Sequence, residues 1–309
     1  MNLKKMYHKL FCIMQWNIGI SRGDIVQIIR DKKCNLSFKW MPLNDYSKSI
    51  ADPFLFRSKE GLLNIIYEDF SMIDPNKYGT LKMFTLNEDF DIIATQKILD
   101  TQSHISYPFV FKENGTTYII PESRKRNKVS SYEYNFDTNT LKNEKVLIDN
   151  CPLLDSSILK YHDKYWLFAT LGDNLFDHSK LYIYYADNLH GPYTAHPKNP
   201  VKFSLKSSRP AGNFIMVDGE IYRPSQNCEM HYGESITINR ITELSENEFS
   251  EEPYFTIKPE NNDKFNSGVH TINCIEDIIV VDGIKMIFMP VTKLKNFLKK
   301  NSYFQGNTQ

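Results

Sequence analysis

The chain has 309 residues, of which 41% are hydrophobic and 13% aromatic, so it can bury a substantial core. Its 37 Lys and Arg residues balance its 37 Asp and Glu residues, and this neutrality argues against a nucleic acid partner. No segment approaches the roughly 18 consecutive apolar residues of a membrane-spanning helix.

The first residues of the chain do not resemble a signal peptide, because Met1 to Lys5 is followed by no adequate apolar run. The five cysteines are odd in number and scattered, and none forms a Cys-x-x-Cys pair. This usage is typical of a protein in a reducing compartment, so we expect a cytoplasmic location.

One pattern recurs five times: a short apolar strand that opens with polar residues, a tight turn, and an aromatic-rich strand. The copies begin at Ala51, Ser106, Leu154, Ser208 and Gly268. A repeat of roughly 50 residues built from strands is typical of a propeller, in which each small sheet stacks on its neighbours. The sequence therefore predicts an all-β fold, a five-bladed β-propeller with short helical termini.

We expect a single domain over residues 1–309. The blades are predicted near 51–100, 106–149, 154–203, 208–258 and 268–290. Two strand-like runs at 11–20 and 36–41 are expected to complete the last blade and remove its exposed edge. Tight hairpin turns are predicted at Glu113–Gly115, Val217–Gly219 and Asp282–Gly283.

The apolar period changes to a helical one at both ends of the chain. Leu3, Met6, Tyr7 and Leu10 share one helical face, as do Val291, Leu294, Phe297 and Leu298, and lysines surround both faces. A basic amphipathic helix is suited to an anionic membrane surface, which predicts weak peripheral association with the inner membrane. The alternative is a pair of capping helices packed on the propeller.

The first strand of each propeller blade lines the central channel, so the polar residues that open these strands should meet there. These residues are Asp52, Tyr107, Asp155, Arg209 and His270. The ends of the second strands add Glu68, Asp69, Glu122, Arg124, Arg223 and Gln226. Buried charges are costly unless they pair or bind a ligand, so we predict a polar small-molecule site. A salt-bridged channel without chemistry is the alternative.

Glycosyl chemistry needs one group that exchanges a proton at the transferred oxygen and another that acts as base or nucleophile. We assign Asp52, Glu122 and Asp155 to this catalytic set. Arg209 or Arg223 could hold a sugar-linked phosphate, although Asp155 and Arg209 could instead simply neutralise each other. No motif for a Rossmann cofactor site, a phosphate-binding loop, a zinc protease or an α/β-hydrolase is present, and no metal site is predicted.

The Asp-Pro opening of blade one resembles that of the five-bladed furanosidase-like glycosidases, especially glycoside hydrolase family 43. The resemblance implies that Asp52 is a general base, that Asp155 tunes a pKa and that His270 is a channel histidine. Those hydrolases place their general-acid glutamate at the start of blade four. This chain has Ser208 to Asn213 there, with no carboxylate.

A closer resemblance covers residues 50–285. Six segments carry it: Ala-Asp-Pro-Phe-Leu at 51–55, Ser-Tyr-Pro-Phe-Val at 106–110, Ile-Pro-Glu-Ser at 120–123, Ser-Arg-Pro-Ala-Gly-Asn at 208–213, Tyr-Arg-Pro-Ser-Gln-Asn-Cys at 222–228 and Tyr-Gly at 232–233. They resemble the propeller domain at the N-terminus of plant glucosamine inositolphosphorylceramide transferases, and Tyr232 joins the expected substrate-binding residues. Similar stand-alone bacterial domains are associated with surface-polysaccharide synthesis.

The sequence therefore predicts a cytoplasmic glycosyltransferase that acts in bacterial capsule, lipopolysaccharide or glycolipid synthesis. We expect an activated sugar donor, either a nucleotide sugar or a sugar phosphate, as substrate and no firmly assigned cofactor. The partner is a carbohydrate or glycolipid acceptor. A furanosidase-like glycoside hydrolase and a non-catalytic glycan-binding module are the two alternatives.

Overall fold

The computed structural model describes residues 7, 10–43, 45, 48–74, 77–172 and 178–294. Its strands form five antiparallel sheets arranged as the blades of a propeller, which confirms the predicted fold class. The predicted helical ends lie only partly in the described residues, at Tyr7, Leu10, Phe11 and 290–294. Inside the chain there is a helix α1 (Ile25–Asp31), whose Asp24 side chain caps the N–H of Val26, and a 3-10 turn (Arg124–Arg126).

Blade five contains β1 (Cys12–Arg22), β2 (Lys39–Trp40), β20 (Ile272–Ile275) and β21 (Ile278–Phe288). Blade one contains β3 (Lys48–Arg57), β4 (Leu63–Ser71), β5 (Thr80–Leu86) and β6 (Ile92–Leu99). Blade two contains β7 (Ser106–Glu113), β8 (Thr116–Glu122), β9 (Lys128–Asn135) and β10 (Thr140–Asp149). Blade three contains β11 (Leu153–Tyr161), β12 (Lys164–Leu171), β13 (Lys180–Ala186), β14 (Thr194–Ala195) and β15 (Lys202–Phe203). Blade four contains β16 (Ile215–Val217), β17 (Glu220–Asn227), β18 (Ser235–Leu244) and β19 (Phe249–Ile257).

The core lies between neighbouring blades. Along β3, Phe54 and Phe56 pack against blade two, whereas Leu55 on the opposite face packs against blade five. Successive side chains of a strand point to opposite faces of the sheet, so a strand buried on both faces must be apolar throughout. This explains why the innermost strands have continuous apolar runs instead of alternating polar and apolar residues.

The predicted turn at Asp282–Gly283 is wrong, because both residues lie in the middle of β21. Asp282 is fully buried and bonded to three other residues' N–H groups. A Cβ atom on Gly283 would lie 2.4 Å from Trp40, so glycine is needed here for close packing of an aromatic ring. The chain turns before it, at Glu276 and Asp277.

Two of the five predicted first strands begin later than expected. Residues 208–213 form only an isolated bridge between Pro210 and Ser225, and His270 precedes β20. Pro210 lacks an N–H to donate to a ladder, and Gly212 has a φ of 131°, which extended strands do not use. Arg209 and His270 therefore reach the channel from irregular backbone.

Connections between the second and third strands of each blade all lie on one face of the propeller, here called the mouth face. They comprise 72–79, 123–127, 172–179 and 228–234, with 75–76 and 173–177 outside the described residues. In blade five the second and third strands are β21 and β1, which pair from Cys12 opposite Phe288 to Arg22 opposite Ile278. Both ends of the chain therefore emerge on the mouth face.

Candidate functional site

Three first strands direct one polar side chain each into the channel through the same local distortion. Asp52, Tyr107 and Asp155 have positive φ angles of 52°, 41° and 51°, and each lies where the pairing register with the second strand shifts. Such a bulge bends the strand and turns a side chain that would otherwise face a neighbouring sheet. The three repeats thus use one backbone device to build the site.

The second strands contribute at the matching level. Glu68 pairs with Ala51 and Glu122 pairs with Ser106, each directly before a bulged residue. Gln226 in β17 and Asp282 in β21 occupy the corresponding level of blades four and five, and all four side chains are buried. The channel therefore holds four carboxylates from blades one, two and three and a fifth from blade five.

Asp155 is held by two hydrogen-bond donors from blade four. Arg209 Nε lies 2.5 Å from Asp155 Oδ2 and Arg209 Nη2 lies 3.1 Å from Oδ1, while Gln226 Nε2 donates to Oδ2 at 2.7 Å. Burial acts to raise the pKa of Asp155, but the Arg209 guanidinium outweighs it and holds the pKa below its ordinary value. Asp155 is therefore ionised, and the pairing of Asp155 with Arg209 that the sequence left open is present.

Glu122 is held in the opposite protonation state. Its Oε2 has no hydrogen-bond partner among the described residues, and Arg209 Nη2 lies 3.7 Å from it. Burial raises the pKa of Glu122 well above its ordinary value, and the negative charge of Asp155 acts in the same direction. A buried carboxyl that keeps its proton near neutral pH has the property required of a general acid.

His270 and Asp282 form a tight pair beside Asp52. Asp282 Oδ2 lies 2.6 Å from His270 Nδ1 and accepts the Asp52 N–H at 3.0 Å. Asp282 Oδ1 accepts the N–H groups of His270 and Thr271, each at 3.0 Å. Burial acts to lower the pKa of His270, but Asp282 outweighs it and raises the pKa.

Asp52 lies against the resulting imidazolium. His270 Nε2 is 3.5 Å from Asp52 Oδ1, Thr271 Oγ1 donates to the same oxygen at 3.0 Å, and the Tyr107 N–H donates to Oδ2 at 3.1 Å. Burial raises the pKa of Asp52 to about 6, while the positive charge of His270 opposes the rise. Asp52 is thus ionised at neutral pH and keeps the capacity to take up a proton.

The ligand atoms of Asp52, His270 and Asp282 lie within 4.8 Å of one another, which is close enough to hold a metal ion. However, hydrogen bonds from four N–H groups already engage both oxygens of Asp282, and one of these groups is His270 Nδ1. The donor set therefore fits an ion-pair network better than a metal centre.

Glu68 lies in the channel with little support. Its Oε1 has no hydrogen-bond partner among the described residues, and His104 Nε2 is 3.5 Å away. Burial raises the pKa of Glu68 well above its ordinary value, and the negative charges of Asp52, Asp155 and Asp282 act in the same direction. Glu68 is thus a second protonated carboxyl that can donate to a ligand.

Aromatic rings cover the charged groups on the mouth face. The ring centroids of Trp16 and His270 are 4.0 Å apart, and Tyr232 meets His270 edge-on at 5.2 Å. Tyr232 also lies 5.3 Å from the guanidinium carbon of Arg209, whose Nη1 is 2.9 Å from His178 Nδ1. These rings exclude water from the ion pairs.

The sequence-predicted residues do not all meet. Arg223 is buried, but it pairs with Glu251 at 2.6 Å and donates to the carbonyl of Ser207, away from the carboxylates of the channel. Asp69 pairs with Lys82 at 2.8 Å. Side chains an odd number of residues apart in a strand point to opposite faces. Arg223 is three residues from Gln226, and Asp69 is one residue from Glu68. Both side chains therefore point away from the channel.

The prediction that Arg209 and Arg223 hold a phosphate is not supported by their contacts, because each guanidinium already forms an ion pair with a carboxylate. Arg124 lies half-buried at the mouth beside Gly172. Tyr107 is a structural member of the channel: its hydroxyl accepts the Gly212 N–H at 2.6 Å and lies 2.9 Å from Ser157 Oγ.

Trp16, His104, His178 and Asp282 are among the residues that contact or approach this cluster and that sequence reasoning missed. Asp282 could have been found, because it occupies the level of the second strand at which Glu68 and Glu122 occur in other repeats. The other three gave no signal, since they reach the cluster from β1 or from connections outside the repeated pattern.

Comparison with known proteins gives one family. Residues 40–272 match the family model described as glucosamine inositolphosphorylceramide transferase 1, N-terminal. The chain is 31% identical over 211 residues to glucosamine inositolphosphorylceramide transferase 1 of Oryza sativa subsp. japonica, and 32% identical to the Arabidopsis thaliana protein of that name. These matches cover 67% and 66% of this chain but only 28% and 27% of the relatives.

Solved structures resemble the chain in fold alone. A family-43 β-1,3-galactosidase solved with galactodeoxynojirimycin aligns with a TM-score of 0.55 over 70% of this chain and 81% of its own, at 8% identity. Within the part of the chain described here, no helix has the length and apolar character needed to cross a bilayer.

Proposed function

The chain belongs to the glucosamine inositolphosphorylceramide transferase 1, N-terminal family, and from this membership we propose that its propeller transfers a sugar unit in the central channel. The relatives are named as transferases, yet this chain spans less than a third of their length. The proposal therefore depends on the channel itself and not on the name of the whole relative.

The observation that carries the proposal is a pair of buried carboxyl groups with different protonation states in one channel. Glu122, with its raised pKa, supplies a proton to the oxygen that leaves the anomeric carbon. Asp52 removes the proton from the acceptor hydroxyl while the acceptor oxygen bonds to the anomeric carbon. One carbon–oxygen bond breaks and one forms, and the proton lost by Glu122 is matched by the proton gained by Asp52.

The ion pairs around these two groups would keep their roles distinct. Arg209 keeps Asp155 ionised, and the negative charge of Asp155 helps to raise the pKa of Glu122, while His270 keeps Asp52 from being protonated at neutral pH. Tyr232 and Trp16 would exclude water from the site, which favours a hydroxyl acceptor over hydrolysis.

An activated sugar remains the expected donor. If it carries a phosphate, Arg124 and Lys125 in the 3-10 turn at the mouth are basic residues that would meet it. The sugar would then lie inside the channel while the phosphate remains at its rim, where solvation lowers the cost of its charge.

The acceptor we favour is a glycolipid. The relatives' names contain inositolphosphorylceramide, a lipid acceptor, and we extend that class to this chain. Because the curated relatives are plant proteins, they lend no support to the bacterial capsule or lipopolysaccharide role expected from the sequence. A cytoplasmic location stays a prediction from the cysteines.

The test is a transfer assay with purified protein, a panel of radiolabelled nucleotide sugars and sugar phosphates, and vesicles that contain inositolphosphorylceramide. We expect labelled lipid from the wild-type chain, and a loss of on the order of 100-fold or more in Asp52→Asn and Glu122→Gln, because each change removes one proton-transfer group. Both variants conserve shape, so their melting temperatures should stay close to that of the wild type.

Asp69→Asn is the matched control, because Asp69 neighbours Glu68 but pairs with Lys82 outside the carboxylate cluster. It should retain full activity. Release of free sugar without labelled lipid, lost in the same two variants, would assign the channel to a hydrolase. Binding of sugars with no turnover in any protein would make it a glycan-binding module and refute the transfer reaction.

A further inference from the structure

Six large apolar side chains near the two ends of the chain are exposed, and together they are here called the terminal patch. Its members are Tyr7, Leu10, Phe11, Phe288, Val291 and Leu294, each 40% to 65% exposed. The rings of Tyr7 and Phe288 stack with centroids 5.8 Å apart, and Phe11 contacts both. Contiguous apolar groups that remain in water mark an interaction surface.

Charge is strongly segregated along the sequence. Residues 1–21 and 283–309 contain eight lysines and no Arg, Asp or Glu at all. Because the whole chain is neutral, these two segments carry a formal charge of +8 and residues 22–282 carry −8. A neutral protein with this distribution has a basic end and an acidic body, so an anionic surface attracts the end and repels the rest.

The terminal patch lies beside the entrance of the channel. Both ends emerge on the mouth face, where β1 and β21 take the place that connecting loops have in the other blades. An apolar cluster formed by Trp16 and Ile284 together with Met14, Met286 and Tyr232 continues from these strands to the ring that covers Arg209. The surface and the site therefore face the same way.

We propose that the terminal patch docks on the surface of an anionic lipid bilayer and that the propeller lies on it with its mouth toward the headgroups. The apolar side chains would enter the boundary between headgroups and acyl chains, while the surrounding lysines contact anionic headgroups. The acidic body remains in solution. Docking is independent of the transfer reaction; only the delivery of a lipid acceptor to the channel rests on the proposed function.

A second copy of this chain fits the patch less well. Two patches brought together would place two copies of these basic ends, each of charge +8, against each other, and this repulsion opposes self-association at physiological salt. A lipid surface supplies both the apolar layer and the opposite charge, so it satisfies both features of the patch.

The test is flotation of the full chain with vesicles of phosphatidylcholine alone or mixed with phosphatidylserine, at low and high salt. We expect binding to the mixed vesicles that falls with salt, and little binding to phosphatidylcholine alone. Lys293→Gln with Lys295→Gln should weaken binding to mixed vesicles roughly twenty-fold, because each lysine near the surface contributes about five-fold. Salt screens the attraction between lysines and headgroups, so the binding that remains at high salt depends on apolar contacts. Val291→Ser with Leu294→Ser should therefore weaken this remaining binding.

Met216→Ser is the matched control, because Met216 is 51% exposed and precedes a turn on the opposite face of the propeller. It should bind like the wild type. Absence of flotation, or equal flotation of all variants, would overturn the proposal. The oligomeric state is measured in parallel by sedimentation. A dimer that Val291→Ser with Leu294→Ser disrupts would assign the patch to self-association and would also overturn the proposal. Neither result depends on turnover, so a failure here leaves the transfer reaction to its own test.

Discussion

The side chains that define the channel owe their chemistry to burial and to one specific partner each. Asp155 and Glu122 are neighbours in the same environment, yet Asp155 has Arg209 at hydrogen-bond distance and Glu122 does not. The pKa of Asp155 therefore falls while that of Glu122 rises. A single guanidinium decides which carboxyl keeps the proton.

Glu68 gives a prediction that needs no substrate. In the unfolded chain its carboxyl ionises near its ordinary value, whereas the folded channel raises the pKa through burial and through repulsion by Asp52, Asp155 and Asp282. Between those two pKa values the folded state holds the extra proton, so raising the pH favours the unfolded state. Glu68→Gln cannot ionise and should escape this loss.

The measurement is denaturant unfolding of both proteins across the pH range. Near pH 4 their stabilities should be equal apart from a constant offset. Above pH 4, the free energy of unfolding of Glu68→Gln should increase relative to that of the wild type. The increase should be up to about 1.4 kcal/mol per pH unit until the pH exceeds the pKa of Glu68 in the folded protein. A constant difference at every pH would mean that Glu68 is not held protonated. Asp69→Asn, whose side chain pairs with Lys82, is the control.

At the level of elements, the sequence was most informative about strands and least informative about their edges. Asp52, Glu122 and Asp155 were predictable because each lies at a fixed place in a repeated strand pair. Asp282 was missed because Asp-Gly usually marks a turn, although the apolar run on both sides of it indicates that the strand continues.

Arg223 shows the opposite failure of the repeat pattern, because it was predicted in the channel site but lies outside it. It lies in the predicted second strand, but the alternation of side chains places it on a different face from Gln226, which does bind Asp155. Sequence alone left the register of that strand open, because its first-strand partner is an isolated bridge at Pro210 and gives no continuous pairing.

Strand β21 supports the site through a close contact that can be tested. Gly283→Ala would place a Cβ 2.4 Å from the Trp40 ring and 2.8 Å from Phe265, directly after Asp282. Overpacking of this kind costs about 1–3 kcal/mol, which unfolding in urea should detect. In a Trp40→Leu background the smaller side chain leaves room, so the cost of Gly283→Ala should shrink. An unchanged cost would place the strain elsewhere.

The whole molecule brings residues from all five blades to one point, and this explains why a repeat without any familiar catalytic motif can carry chemistry. No blade holds a complete site: Asp52 comes from blade one, Glu122 from blade two and Arg209 from blade four. Closure of the ring by β1 and β21 places His270 and Asp282 beside Asp52. The five-fold repeat predicted that these residues converge, whereas the ion pairs among them could be identified only from the structure.

The most direct measurement is chemical rescue of Asp52→Gly by formate in the lipid-transfer assay. Glycine tolerates the positive φ of 52° at this position and leaves space in which a small carboxylate can replace the missing one. If Asp52 is the base, Asp52→Gly should be folded and inactive, and formate should restore turnover in a saturable way while leaving Asp69→Asn unaffected. Wild-type turnover by Asp52→Gly without formate would contradict catalysis by the channel carboxylates.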